Sequence, residues 1–204
     1  MNQLFEDANV LQIDQHRRSW LEMLFSLEQR NQYAITGNGR HRGFAVEQGT
    51  SLIDRLKRIL LGSHRPLHIL VFDASEKPAL SLARPFYWIF SSMTVSDGSG
   101  KVVGSVQKRW GLVTKKYELF EGGRSFANIS SGILKIWTFP VYNTSGQQIA
   151  TISKKWGELL KEYISDADKF GVSFDGPQLT TAQKAVIFAA ALSIDFDYFE
   201  NNDK

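Results

Sequence analysis

Residues 180–200 read TTAQKAVIFAAALSIDFDYFE, and the architecture turns on this stretch. Thr180 or Thr181 can cap a helix here, and alanine dominates its middle. Between Lys184 and Asp195 every residue except Ser193 is apolar, including Val186, Ile187, Phe188 and Leu192. A helix that is apolar on every side is buried all round. Ten residues rise about 15 Å, half of a hydrocarbon layer of about 30 Å. A longer span would take in Asp195 and Asp197, each costing roughly 2.5–3.5 kcal/mol at a bilayer centre. No transmembrane span is therefore expected. The small side chains of Ala185, Ala189, Ala190 and Ala191 suit a helix closely surrounded by other backbone.

Upstream, short runs rich in Val, Ile and aromatic residues alternate with Gly, Asn, Asp and Ser. The runs are Gln32–Thr36, Gly43–Glu47, Leu67–Phe72, Ala79–Ala83, Ser92–Val95, Val102–Gln107, Lys116–Phe120, Ser125–Ile129, Ile133–Phe139 and Gln148–Ser153. Turn-like breakers separate them, among them Gly37-Asn38-Gly39, Asp73–Lys77, Asp97–Gly100, Glu121–Gly123 and Asn143–Gly146. Gly37-Asn38-Gly39 lacks the G-x-G-x-x-G spacing of a phosphate loop and reads as a hairpin turn. Antiparallel strands in this number, with one wholly apolar helix, predict a sheet closed around that helix. Closure also removes edge strands. Ahead of the strands, residues 14–30 carry Trp20, Leu21, Leu24, Phe25 and Leu27 at helical spacing. The domain reading is a helical appendage over 1–30 and a barrel over 31–204 with its core helix at 181–199.

The composition is that of a globular chain of 204 residues, with 43% hydrophobic residues, 24 Lys+Arg against 21 Asp+Glu, and a net charge of +3. It has no cysteine, which excludes a disulfide framework, a thiolate metal site, a cysteine nucleophile and S-acylation. The start of the chain shows no basic stretch leading into an apolar one, so the expected location is cytosolic. Little points to an enzyme. His16, His41, His64 and His68 have no metal-binding spacing, and neither a G-x-S-x-G elbow nor a Walker loop occurs.

Several ordered motifs resemble the phospholipid scramblase family. They are QRNQYAITGNGRHRGFAVE at 29–47, RPLHILVFDASEKPALSLARPF at 65–86, GKVVGSVQKRW at 100–110, ISKKWGELLKEYISDADKFGVSF at 152–174 and KAVIFAAALSIDFDYFE at 184–200. The resemblance implies a mainly β, tubby-like closed antiparallel barrel of about twelve strands around the C-terminal helix, a fold shared with the plant LURP-one-like proteins. It also implies phospholipid binding and energy-independent movement of phospholipid between leaflets, without covalent catalysis. A soluble module that binds a lipid headgroup or a protein partner, without transport, remains the alternative.

The family's calcium segment corresponds to residues 166–177, which makes Asp166, Asp168 and Asp175 the candidate ligands. A twelve-residue calcium loop draws its ligands from positions 1, 3, 5, 7, 9 and 12. From Asp166 those positions hold Asp166, Asp168, Phe170, Val172, Phe174 and Pro177. Two readings stand, a weak calcium site or a turn entering an aromatic-rich strand. Family members carry acylated cysteine clusters at two places. Here these hold Phe86-Tyr87-Trp88-Ile89-Phe90 and residues 51–62. In the second, Leu52, Ile53, Leu56, Ile59 and Leu60 form one helical face, with Arg55, Lys57 and Arg58 elsewhere, a shape suited to an anionic phospholipid surface. An aromatic wedge at Trp88 and this basic loop are the expected substitutes for acyl anchors. Either segment can equally be a packed part of the barrel. Lys108, Arg109, Lys154 and Lys155 are candidate headgroup contacts if they converge on one barrel end. Nucleic acid is not an expected partner, because the basic pairs are not interleaved with stacking aromatics.

Overall fold

The computed structural model describes residues 2–15, 32–48, 64–111, 114–132, 137–154, 169–176 and 179–198. A short helix, α1 (Asn2–Phe5), precedes twelve strands. These are β1 (Val10–Gln15), β2 (Gln32–Gly37), β3 (Arg40–Glu47), β4 (Leu67–Asp73), β5 (Pro78–Arg84), β6 (Ser92–Asp97), β7 (Val102–Arg109), β8 (Thr114–Glu121), β9 (Arg124–Gly132), β10 (Thr138–Asn143), β11 (Gln148–Ser153) and β12 (Lys169–Phe174). Helix α2 (Thr181–Tyr198) follows. Each strand pairs antiparallel with its sequence neighbour, and β1 pairs with both β2 and β12, so the barrel closes.

The wall follows from period-two patterning. In β4, Leu67, Ile69, Val71 and Asp73 are buried, while His68, Leu70 and Phe72 alternate with them. The ring is wide enough for one helix, whose diameter with side chains is about 10–12 Å. Residues Ala185–Phe196 of α2 are all buried, with Val186, Ile187 and Phe188 at 0% exposure. Thr180 caps the helix. Its Oγ1 accepts from the Gln183 N–H at 3.0 Å, and the Gln183 side chain accepts from the Thr180 N–H at 3.1 Å, a reciprocal capping box.

At Gly104 of β7 the wall and the helix meet closely. A Cβ there would lie 2.2 Å from the Phe120 carbonyl oxygen and 2.5 Å from Val186 Cγ2. Gly104→Ala is accordingly expected to cost about 1–3 kcal/mol by overpacking, read as a lower midpoint in urea unfolding at unchanged slope.

Short turns join the strands at one end of the barrel. Asn38 (φ 52°) and Gly39 (φ 72°) make a two-residue turn with both residues left-handed, as a hairpin of this length requires. The turns Asp73–Lys77, Asp97–Lys101 and Asn143–Gln147 share one device. The Oδ1 of the first residue accepts from the N–H groups two and four positions on, at 2.9–3.1 Å.

Two sequence expectations change and one holds. Residues 10–15, assigned to a helical appendage, are strand β1, and Asp14 is paired with Ala34 and Lys169. The barrel therefore begins at residue 10 rather than 31, and no helix starts at Asp14. The rest of the expected helix, residues 16–30, lies outside the described residues. The run Ile133–Phe139 gives way to β10 at Thr138–Asn143, with 133–136 outside the described residues. The aromatic-rich strand after Asp168 is real: Lys169–Phe174 is β12, seated between β1 and β11.

Candidate functional site

An up-and-down barrel sorts its connections by end. The turns at 38–39, 74–77, 98–101, 122–123 and 144–147 lie at one end. The connections at 16–31, 48–66, 85–91, 110–113, 133–137 and 154–168 leave from the other, here termed the loop end. Helix α2 enters beside the turns, where the Thr180 hydroxyl and the Gln183 amide donate to Glu121 at 2.7 Å. Its last turn therefore arrives at the loop end.

That last turn carries two acids in a protein interior. A buried carboxylate is tolerated only with partners. The Asp197 side chain is fully buried, with Arg84 Nη1 at 2.8 Å and Lys108 Nζ at 3.4 Å. It also accepts from the hydroxyls of Tyr117 at 2.8 Å, Tyr87 at 3.3 Å and Ser91 at 3.3 Å. Asp195 accepts from the Tyr33 hydroxyl at 3.2 Å and lies 3.8 Å from Lys154 Nζ. Arg65 pairs with Glu47, and its guanidinium lies over the Phe196 ring. Lys108 and Lys115 both approach the face of Tyr198, at 4.6 and 4.2 Å from its centroid. The cations gather where the helix dipole is negative.

Burial pulls the Lys108 pKa down, but the charge of Asp197, helped by Tyr198 and Tyr87, outweighs it and leaves the amine above its ordinary value. Lys115 moves the other way, lowered first by burial and then by the neighbouring Lys108 charge. Burial, followed by the Asp197 charge, holds the Tyr117 phenol well above its usual range.

The outside of the same end is apolar. Trp88 is 83% exposed, Ile89 68% and Phe90 45%, on the β5–β6 connection. Trp110 is 67% exposed, and its ring meets Phe90 edge-on at 6.4 Å. Trp137, on the β9–β10 connection, is also exposed.

Of the residues singled out from the sequence, the fold brings Trp88, Lys108 and Lys154 to the loop end. Arg109 does not join them. It turns to Glu118 at 2.7 Å and lies over the Phe120 ring. Arg55, Lys57, Arg58, Ile59, Leu60, Lys155, Asp166 and Asp168 lie outside the described residues. Asp175 follows β12, and its carboxylate accepts from Thr151 Oγ1 at 3.1 Å. Phe170, Val172 and Phe174 are buried in the barrel core, so positions five, seven and nine of a loop counted from Asp166 offer no side-chain oxygen. The described part of that segment does not fit a twelve-residue calcium loop. Among the described residues no cluster of three or more His, Cys, Asp or Glu side chains could hold a metal ion.

The sequence reading missed Arg84, Tyr87, Tyr117 and Lys115 as members of the cluster, and Trp110 as part of the apolar rim. The available signal was Asp195 and Asp197 inside a sequestered helix, since buried acids require cations and hydroxyls from somewhere.

Residues 2–201 match the family model described as Scramblase. The chain belongs to the scramblase family. It is 27% identical over 216 residues to a phospholipid scramblase family protein of Schizosaccharomyces pombe, covering 88% of this chain and 56% of that protein. It is 29% identical to altered inheritance rate of mitochondria protein 25 of Saccharomyces cerevisiae, over 91% of this chain and 69% of that protein. It is 27% identical to human phospholipid scramblase 4, over 89% of this chain and 59% of that protein. The chain thus spans between about half and two thirds of these relatives' lengths. An X-ray structure of a protein from Arabidopsis thaliana superposes with a TM-score of 0.45 at 14% identity, covering 93% of this chain and 91% of that one. Among the described residues no helix is long and apolar enough to cross a membrane.

Proposed function

We propose that this scramblase-family chain docks end-on, loop end first, on an anionic phospholipid surface and promotes energy-independent movement of phospholipid between leaflets. The reading places it on the cytosolic membrane face. The observation that carries it is the coincidence, at one barrel end, of the exposed Trp88, Ile89, Phe90 and Trp110 with Lys108, Lys115 and Lys154. Tryptophan favours the headgroup boundary, and the cations gathered at this end, Arg65, Arg84, Lys108, Lys115 and Lys154, outnumber the acids they meet, Glu47, Asp195 and Asp197, which leaves a positive balance toward an anionic surface. No covalent bond is broken in such an activity.

Flotation with phosphatidylserine-containing vesicles tests the docking. Wild type is expected to float, and Trp88→Ser/Phe90→Ser to partition roughly tenfold more weakly, equivalent to about 1.4 kcal/mol. Raising the salt should weaken both, as exposed charges are screened. Equal flotation by wild type and variant removes the wedge. Lipid movement is tested by dithionite quenching of labelled lipid in proteoliposomes, with and without calcium. Quenching no greater than in protein-free vesicles leaves a binding module without transport. A specific observation favours that second reading, since α2 is enclosed by the wall and offers headgroups no path through an apolar layer.

A further inference from the structure

The wedge residues sit on an arch whose two feet are fastened to one carboxylate. Arg84, at the end of β5, is 2% exposed, Tyr87 8% and Ser91 2%, whereas the three residues between Tyr87 and Ser91 point out. Arg84 Nη1 and the Tyr87 hydroxyl both donate to Asp197 Oδ1, and the Ser91 hydroxyl donates to Oδ2. Tyr87 is held further by its N–H on the His64 carbonyl at 3.3 Å, by the His64 ring at 4.9 Å, and by the Arg84 guanidinium over its face at 5.3 Å. The second foot is tied to the wall, where the Lys108 N–H donates to the Ser91 carbonyl at 2.9 Å. On its other side Asp197 is fixed by Tyr117 and Lys108, and its backbone belongs to the core helix.

We infer that Asp197 is a positioning residue for the membrane wedge: the last turn of the core helix clasps residues 84–91 so that Trp88, Ile89 and Phe90 are presented in a fixed arch before any membrane is met. The inference rests on the docking reading above. Its physical content is preorganisation. A free seven-residue connection would lose backbone and side-chain freedom on insertion, and that loss would be subtracted from its affinity. A connection already ordered by the clasp loses much less. The clasp also explains a fully buried acid at the end of a core helix whose burial needs no charge.

Removing Asp197 itself would strand Arg84, so the informative variant is Tyr87→Phe/Ser91→Ala, which leaves the Arg84–Asp197 pair in place. In the full chain, amide hydrogen exchange across 86–91 is expected to accelerate about tenfold, as local opening no longer breaks those bonds. The thermal midpoint should stay within a few degrees of wild type, and partition onto phosphatidylserine vesicles should weaken about threefold to tenfold through the added ordering cost. Unchanged exchange in 86–91 would overturn the clasp. Faster exchange with wild-type partition would overturn its role in docking while leaving the wedge intact, provided Trp88→Ser/Phe90→Ser loses binding in the same assay. If that tip variant binds as wild type does, the docking reading and this inference fall together.

Discussion

Asp197→Ala is expected to lower the folding stability by about 3–5 kcal/mol, the usual consequence of removing one partner of a buried pair. Arg84, 1% exposed at its side chain, would keep its charge without the carboxylate 2.8 Å away. Tyr117, Tyr87 and Ser91 would each lose an acceptor at once. For a domain of this size the loss corresponds to a fall in thermal midpoint on the order of 10 °C. A double variant, Arg84→Met/Asp197→Leu, is expected to recover only the part owed to the stranded Arg84 charge, because Lys108 and the three hydroxyls still lose the same acceptor. Thermal unfolding of the three proteins checks both halves. A midpoint for Asp197→Ala within a degree of wild type would show that the acid is not held as described.

Phe188→Ala is expected to be as damaging for a different reason. Phe188 is wholly buried, packed edge-on against Phe5 of α1 at 6.1 Å between ring centroids. Truncation removes its transfer free energy and leaves a cavity that the closed wall cannot collapse to fill, a loss of about 3–5 kcal/mol. Urea unfolding should show a lower midpoint at unchanged slope. Phe188→Leu, which retains most of the volume, should lose less than half as much. Equal losses would indicate that the helix is not tightly sheathed.

These two side chains mark the boundary of what was legible. Phe188 lies in a run whose apolarity on all sides demands burial, and that demand needs no tertiary knowledge. Asp197, three residues beyond the run, was recognisable as awkward, but its partners come from β5, the 85–91 connection, β7 and β8. Their convergence depends on strand order and stagger. Strand β1 was hidden for another reason. Val10–Gln15 is short, holds two glutamines and an aspartate, and runs into a segment with helical spacing, so local pattern favoured the helix. The ladder with β2 and β12 overrode it. Arg109 shows the reverse error. It adjoins Lys108 in sequence, but successive side chains of a strand point to opposite faces, so one reaches Asp197 and the other Glu118.

Sequence by itself determined that the chain is mainly β with one helix that must be buried, and that these 204 residues offer no cysteine to acylate. Both follow from side-chain chemistry and short-range periodicity, which any stretch of chain carries with it. Tertiary structure alone decided which connections share an end, which cations face the two acids, and that Trp88, Phe90 and Trp110 form one rim. Those relations join residues far apart in sequence, and only closure of the barrel brings them within reach of one another.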